Sequence, residues 1–235
     1  MNFKTEEIML ANILNQYYES RKAREELEYS IQRQKEMLDE LEKSDYQQLI
    51  NILIDDVVNS IQKFNEQDNQ FNRRSVVRNI YAFVEGVIYT LKQDILVKLK
   101  YSYAINLEPE EILILREQTP QLEKSGKAKA VTKYVDLLSN IRASFYYYAK
   151  AFNIVYKLDI SENHWTIFQK SLKVRHRITH PKAESDMDIS NQELAEVYIS
   201  YAWFKSCVTD MLNIRAETIK NRHSVDTPTN QNDFT

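Results

Sequence analysis

Glycine and proline are scarce in this sequence, with only 2 Gly and 4 Pro among 235 residues. So few turn-forming residues cannot supply the hairpins that a many-stranded sheet requires. The glycine-rich loops that bind dinucleotides or nucleoside triphosphates are missing too. The sequence therefore predicts an all-α protein, a bundle of long helices, and gives no support to the nucleotide-binding α/β folds.

The sequence has a single cysteine and no long apolar run. The single Cys207 excludes a disulfide framework and a cysteine-based zinc site, and is typical of a reducing compartment. No apolar run approaches the roughly 18–20 residues of a membrane span. The N-terminal MNFKTEEIML has acidic residues where a signal peptide needs basic ones. We therefore expect a cytoplasmic protein that makes no membrane contact.

The charges exclude some classes of site. The net charge is −3, so anion binding must come from local clustering of basic residues rather than from the whole-protein field. The four histidines show no metal-ligand spacing with one another or with carboxylates. We expect neither a metal nor another cofactor.

Residues 1–68 are predicted to be an N-terminal helical extension. A charged amphipathic helix over about 5–44 has one interrupted apolar stripe, which suits packing on its own chain or on a partner helix. The following YQQLINILIDDVVNSIQKF is apolar on more than one side and predicts a buried helix. An inhibitory or effector protein is therefore a candidate partner for the N-terminal helices.

Residues 69–222 are predicted to form the main helical domain, with long helices over about 72–104 and 129–159. Pro109 suits the first turn of a short helix. The helix that holds Trp165 must stop near Pro181. Residues 223–235 have almost nothing to bury, which predicts a disordered tail.

One segment concentrates polar chemistry. The string KSLKVRHRITHPK, residues 170–182, has two histidines, no acidic residue and five basic residues: Lys170, Lys173, Arg175, Arg177 and Lys182. Within it, Arg175, His176, three further residues and His180 resemble the signature of the HEPN family (higher eukaryotes and prokaryotes nucleotide-binding). That signature is Arg, a polar residue, three variable residues and His. The resemblance implies a helical bundle over about 69–222, in which a long helix precedes the helix that bears the motif.

The resemblance also implies a function. In HEPN ribonucleases, two copies of the motif face each other in a homodimer and cleave RNA without metal, leaving a 2′,3′-cyclic phosphate. Arg175 would then clamp the phosphate, His180 would be the general acid or base, and His176 would orient the site. Arg177 and Lys182 would hold flanking phosphates of the RNA.

Elementary chemistry gives these residues a matching role. Histidine ordinarily titrates near neutrality, so His180 is suited to take a proton from a ribose 2′-hydroxyl or give one to the leaving 5′-oxygen. An arginine fork stabilises negative charge on phosphorus oxygens. Residues 175 and 180 lie about 140° apart around an ideal helix. Something must bring them together, and Pro181 disfavours the helical conformation at His180.

Glu85 lies on the preceding long helix and is the candidate supporting acid, as in some HEPN nucleases. An equally good interpretation makes it an ion-pair partner of Arg175 or Arg177. Two functions follow from these observations. The first is an endoribonuclease, a toxin or antiviral defence effector, and the second is a noncatalytic helical dimerisation or interaction protein with the same fold.

Overall fold

The computed structural model describes residues 46–101, 105, 107–160 and 163–225, and every position within 19–36 except 20, 23, 27 and 34. The predicted all-α class is confirmed, because helices form most of this part of the chain and its only sheet is a two-stranded hairpin. None of the helices in these ranges is both long and apolar enough to cross a membrane.

The central helix of the bundle is Gln70–Tyr101. The elements are α1 (Tyr46–Glu66), α2 (Gln70–Tyr101), α3 (Pro109–Leu115), β1 (Gln118–Leu122), β2 (Ala128–Thr132), α4 (Leu137–Phe152), α5 (Asn163–Thr179), a 3-10 helix (Glu184–Met187) and α6 (Asn191–Val225). Helix α2 packs against α1, α4, α5 and α6. This placement buries apolar residues on several of its sides, so α2 positions the other helices.

The prediction for α1 is correct about the helix and wrong about its burial. Only Val57 and Ser60 of α1 are buried, whereas Ile52 and Val58 are 53% and 54% exposed. One face of α1 packs so closely on α2 that a Cβ at Gly86 would lie 2.3 Å from Cδ1 of Leu53. The second apolar side of α1 faces outward, because α1 lies on the outside of the bundle.

The N-terminal helix and the C-terminal tail lie largely outside the described residues. The described positions within 19–36 are helical. There Arg33 donates hydrogen bonds to the backbone carbonyls of Lys100 and Tyr101, the second at 3.2 Å from Nε. This segment therefore contacts its own chain at the end of α2. At the other terminus α6 continues through Val225, past the predicted boundary at residue 222.

The predicted helix over 129–159 is wrong at both ends. Strands β1 and β2 form an antiparallel hairpin in which Thr119 faces Val131. Its turn closes where Gly126, at a φ of 79°, donates its N–H to the carbonyl of Glu123. The helical part is α4 alone, which stops where Asn153 adopts the left-handed conformation. A left-handed residue suits glycine or asparagine, and it ends a helix.

The aromatic core lies beneath the motif helix. Trp165 is 7% exposed, and its ring lies 5.9 Å from that of Phe168 and 5.7 Å from that of Trp203. These contacts join α5 to α6. Trp165 is thus a core residue of the helix that carries the candidate site.

Candidate active site

The motif segment lies where α5 ends. The helix stops at Thr179, in agreement with the end predicted from Pro181. The backbone N–H of His180 still donates to the carbonyl of His176 at 3.0 Å, so His180 begins the bend that follows the helix. As a result Arg175 and His180 line the same clefts, although their positions lie on different faces of an ideal helix.

The loop after the motif is held by arginines of α2. Arg73 donates to the carbonyl of Ile189 at 2.7 Å, and Arg74 donates to the carbonyl of Met187 at 2.9 Å. The sequence also predicts a capping box at Ser190, and it is present, because the N–H of Ser190 donates to Glu193 at 2.9 Å. The arginines at the start of α2 therefore fix this loop.

The inner cleft, lined by Glu85, Glu117, Tyr134, Asn140, Arg175 and His180 among others, has a volume of about 490 Å³. At its mouth Nη2 of Arg175 donates to Oε1 of Glu85 at 2.7 Å. The side chains of this pair are 24% and 45% exposed, respectively. An arginine has five N–H donors, so a guanidinium held at one nitrogen retains donors for a phosphate.

The outer cleft has a similar volume, about 490 Å³, and is lined by Tyr134, Arg175, His176, Arg177, His180, Lys182 and Asp186. It shares Tyr134, Arg175 and His180 with the inner cleft. Each of the six candidate site residues thus lines at least one of these two clefts, with Glu85 in the inner one only. His180 is exposed rather than a buried core histidine.

Folding brings acidic groups to a segment that has none of its own. Glu85 pairs with Arg175, and Oε1 of Glu193 accepts from Nη2 of Arg177 at 2.8 Å. Asp186 accepts the backbone N–H groups of Lys182 and Ala183, and these hydrogen bonds lower the pKa of its carboxyl group. The positive field at the clefts is consequently weaker than the isolated string indicates.

His176 has a perturbed protonation equilibrium. Partial desolvation lowers the pKa of its imidazole from the ordinary value of 6.5, and the positive charges of Arg175 and His180 lower it further. Glu85 acts in the opposite direction and raises it. A lowered pKa favours the neutral imidazole at pH 7, and a neutral imidazole can accept a hydrogen bond or a proton.

A buried polar network forms one wall of the inner cleft, and it was not predicted from the sequence. Nζ of Lys92, on a side chain that is 2% exposed, donates to Glu117 at 2.7 Å and to Asn140 at 2.6 Å. Glu117 has a φ of 53°, which is unfavourable for a residue other than glycine. A signal was present, because Lys92 falls within the apolar spacing of Ile88 and Ile95 on α2, where a lysine must be buried with a partner.

A second buried cluster, made of hydroxyl groups, lies behind the motif helix. The hydroxyl of Tyr81 lies 2.6 Å from that of Ser171, which lies 2.7 Å from that of Ser200. Burial raises the pKa of Tyr81 well above its ordinary value, so its hydroxyl stays protonated. These contacts join α2, α5 and α6 and hold the motif helix in register.

No family model, curated protein or solved structure matches this chain. Among the described residues, no group of three or more His, Cys, Asp or Glu side chains is arranged to hold a metal ion. A function must therefore be inferred from the two clefts and their side chains.

Proposed function

We propose that this chain is a metal-independent endoribonuclease of the HEPN type, a toxin or defence effector that cleaves RNA by attack of a 2′-hydroxyl. The observation that carries the proposal is the placement of Arg175 and His180 in one open cleft. A phosphate-binding fork and an exposed imidazole are the side chains that this chemistry requires. HEPN membership is part of the proposal.

The reaction needs a proton acceptor, a proton donor and an electrophilic clamp. A histidine removes the proton of the ribose 2′-hydroxyl, and the resulting oxygen attacks the adjacent phosphorus. The bond from phosphorus to the 5′-oxygen breaks, and that oxygen takes a proton from a second histidine. The products are a 2′,3′-cyclic phosphate and a 5′-hydroxyl. Arg175 stabilises the charge that develops on the phosphoryl oxygens.

A dimer supplies the two histidines. If two copies place their motif segments face to face, each contributes one His180, one as base and one as acid. His176 lies one helical turn before His180 and orients the site through its neutral imidazole. We expect light scattering to give a mass of at least twice 27.9 kDa. A monomer at micromolar concentration would contradict this arrangement.

In the absence of substrate, Glu85 is paired with Arg175. Its carboxylate accepts from one nitrogen of Arg175, Nη2, at 2.7 Å, which is the kind of contact that a phosphate oxygen would make. Because the pair is partly exposed, it contributes at most about 1 kcal/mol, and a substrate phosphate can displace or share it. Lys182, exposed beside the outer cleft, is the candidate contact for a flanking phosphate.

The competing function is a noncatalytic dimerisation or interaction protein. The ion pairs of Arg175 with Glu85 and of Arg177 with Glu193 favour it, because both arginines already have structural partners. Under this interpretation the motif stabilises the helix end and its loop. Expression would then leave growth unchanged, whereas the ribonuclease arrests growth.

The decisive experiment is incubation of the purified protein with total RNA in EDTA, with analysis of the RNA ends. We expect fragments that carry 2′,3′-cyclic phosphate and 5′-hydroxyl ends, and none from the His180→Ala variant. Fragments with other ends would show a contaminating nuclease or a different reaction. Intact RNA in the presence of the folded dimer would favour the interaction protein.

A further inference from the structure

Tyr134 also lines a third cavity. We name it the tyrosine groove; its volume is about 880 Å³, and it is lined by residues of α3, the hairpin, segment 133–136 and α4. Such a volume lies within the range of small-molecule sites. Three tyrosines line it, namely Tyr134, Tyr146 and Tyr147, and the first two are 82% and 61% exposed.

The charges of the tyrosine groove differ from those of the outer cleft. Its walls include two acidic residues, Glu110 and Asp136, and two basic residues, Lys133 and Arg142. This balance gives no net attraction for a phosphate. Apolar and aromatic surface with a few polar groups is instead suited to a flat heteroaromatic ring, which stacks on tyrosine and is oriented by hydrogen bonds.

Tyr134 connects the groove to the candidate active site. It lines the inner cleft, the outer cleft and the groove. A nucleotide whose phosphate lies at Arg175 and His180 is therefore bound in a cleft that Tyr134 also lines. The same residue can contact the ring of the nucleotide next to the scissile phosphate.

The backbone that presents Tyr134 is fixed although its side chain is exposed. The N–H of Lys133 donates to the carbonyl of Glu117 at 2.8 Å. The carbonyl of Val135 accepts from Nδ2 of Asn140 at 3.1 Å. Glu117 and Asn140 are both held by the buried Lys92. With the backbone fixed, only the side-chain torsions of Tyr134 have to be ordered when a ligand stacks on its ring, which keeps the entropy cost of binding low.

We infer that the tyrosine groove binds a nucleobase of single-stranded RNA and that Tyr134 is its stacking platform. The inference rests on the proposed ribonuclease function and names its substrate class. A base within a duplex is paired and stacked on its neighbours, whereas an unpaired base can be splayed out onto an aromatic side chain. The groove would thus make the enzyme prefer loops and single strands over duplex RNA.

The test compares the binding of two oligonucleotides that have the same number of phosphates, one with bases and one without. Oligouridine and an abasic oligoribonucleotide of equal length are titrated into His180→Ala protein at fixed salt, and binding is followed by fluorescence anisotropy. Stacking contributes about 1–3 kcal/mol per base, so we expect oligouridine to bind about 5- to 150-fold more tightly. Adding Tyr134→Ala should reduce this ratio to near one, and Tyr134→Phe should preserve it.

Phe71→Ala is the matched control, since Phe71 is an aromatic residue that is 66% exposed outside the three cavities. It should leave the ratio unchanged. The inference is overturned if Tyr134→Ala leaves the ratio intact, weakens both oligonucleotides equally, or converts a dimer to a monomer in light scattering. The last result would assign the groove to a second copy of the chain.

Failure of the groove inference can be distinguished from failure of the proposed ribonuclease function. If the wild-type protein cleaves oligouridine in EDTA but the binding ratio does not depend on Tyr134, the groove inference fails and the proposed function stands. If oligouridine is neither bound nor cleaved, both fail. Cleavage of duplex RNA as fast as single-stranded RNA would also contradict the inferred substrate class.

Discussion

Two substitutions at the ion pair of the buried Lys92 with Glu117 should differ in their cost to stability. Lys92→Met removes the buried ammonium group, and the partner Glu117, which is 44% exposed, can turn to water. The main loss is then the hydrogen bond to Asn140, about 1–3 kcal/mol, and it is partly offset because no charge remains buried. We expect a net loss near the lower end, about 1–2 kcal/mol.

Glu117→Gln should cost more, although it changes fewer atoms. It retains the backbone conformation at φ 53° and leaves the Lys92 ammonium buried without a counter-charge. Breaking a fully buried pair in this way costs about 3–5 kcal/mol, and because Glu117 is 44% exposed we expect a smaller loss, about 2–4 kcal/mol. The variants should therefore differ by about 1–2 kcal/mol, or roughly 2–8 °C in melting temperature for a chain of this size.

Urea unfolding followed by circular dichroism measures the free energy of unfolding, and calorimetry measures the melting temperature. A control pair is available in Lys150 and Glu111, whose Nζ and Oε2 lie 2.7 Å apart at 35% and 18% side-chain exposure. Lys150→Met and Glu111→Gln should each cost about 1 kcal/mol or less. If Lys92→Met destabilises the protein as much as Glu117→Gln, the interpretation of Lys92 as a buried charge that depends on Glu117 is refuted.

Three further predictions concern the motif itself. In a histidine NMR titration, the pKa of His176 should lie below the ordinary value of 6.5. Arg175→Gln should raise the pKa of His176, because a neighbouring positive charge is lost while Glu85 remains. A pKa of His176 that is unchanged or lower in Arg175→Gln would contradict the geometry. Glu85→Gln in the His180→Ala background should tighten RNA binding by up to about fivefold. The substitution frees Arg175 from an ion pair that contributes at most about 1 kcal/mol. Weaker binding would show that Glu85 assists the phosphate contact. Lys182→Ala should flatten the salt dependence of RNA affinity by about one phosphate contact, and an unchanged slope would remove Lys182 from the binding surface.

The helix ends were predictable because local chemistry determines them. Pro181 cannot continue a helix, and α5 does stop at Thr179. Ser190 and Glu193 satisfy each other's backbone and side-chain groups, as their spacing indicates. Such signals lie within a few residues of each other, so a single sequence reveals them.

The hairpin and the buried network were not predictable in the same way. The strands QTPQL and AKAVT are short and mostly exposed, and they pair across a turn at Gly126, with the left-handed Glu117 just before the first strand. The partners of Lys92 come from positions 25 and 48 residues further along the chain. No local pattern encodes such contacts, although a lysine on an apolar helix face indicates that a partner must exist.

The acidic partners of the motif also lie far from it in the sequence or on other helices, so the motif segment alone does not predict them. The string 170–182 has no acidic residue of its own, but Glu85 and Glu193 reach Arg175 and Arg177 from other helices. The segment's sequence therefore overstates the positive charge of the folded site. Glu85 was identified as a candidate because it lies on the preceding helix, and its distance to Arg175 required the fold.

The central claim is tested most directly by the RNA cleavage rate of His180→Ala relative to the wild type, with the melting temperature of each protein measured in parallel. His180 is exposed at a helix end, so its truncation should change stability by no more than about 1 kcal/mol. Loss of a positioned acid or base should lower the rate by roughly 10²–10⁴-fold. Trp165→Ala is the folding control and should cost about 3–5 kcal/mol. We expect a His180→Ala protein that melts like the wild type and cuts RNA at least about 100-fold more slowly. A variant that cuts RNA at the wild-type rate, or melts as early as Trp165→Ala, would contradict it.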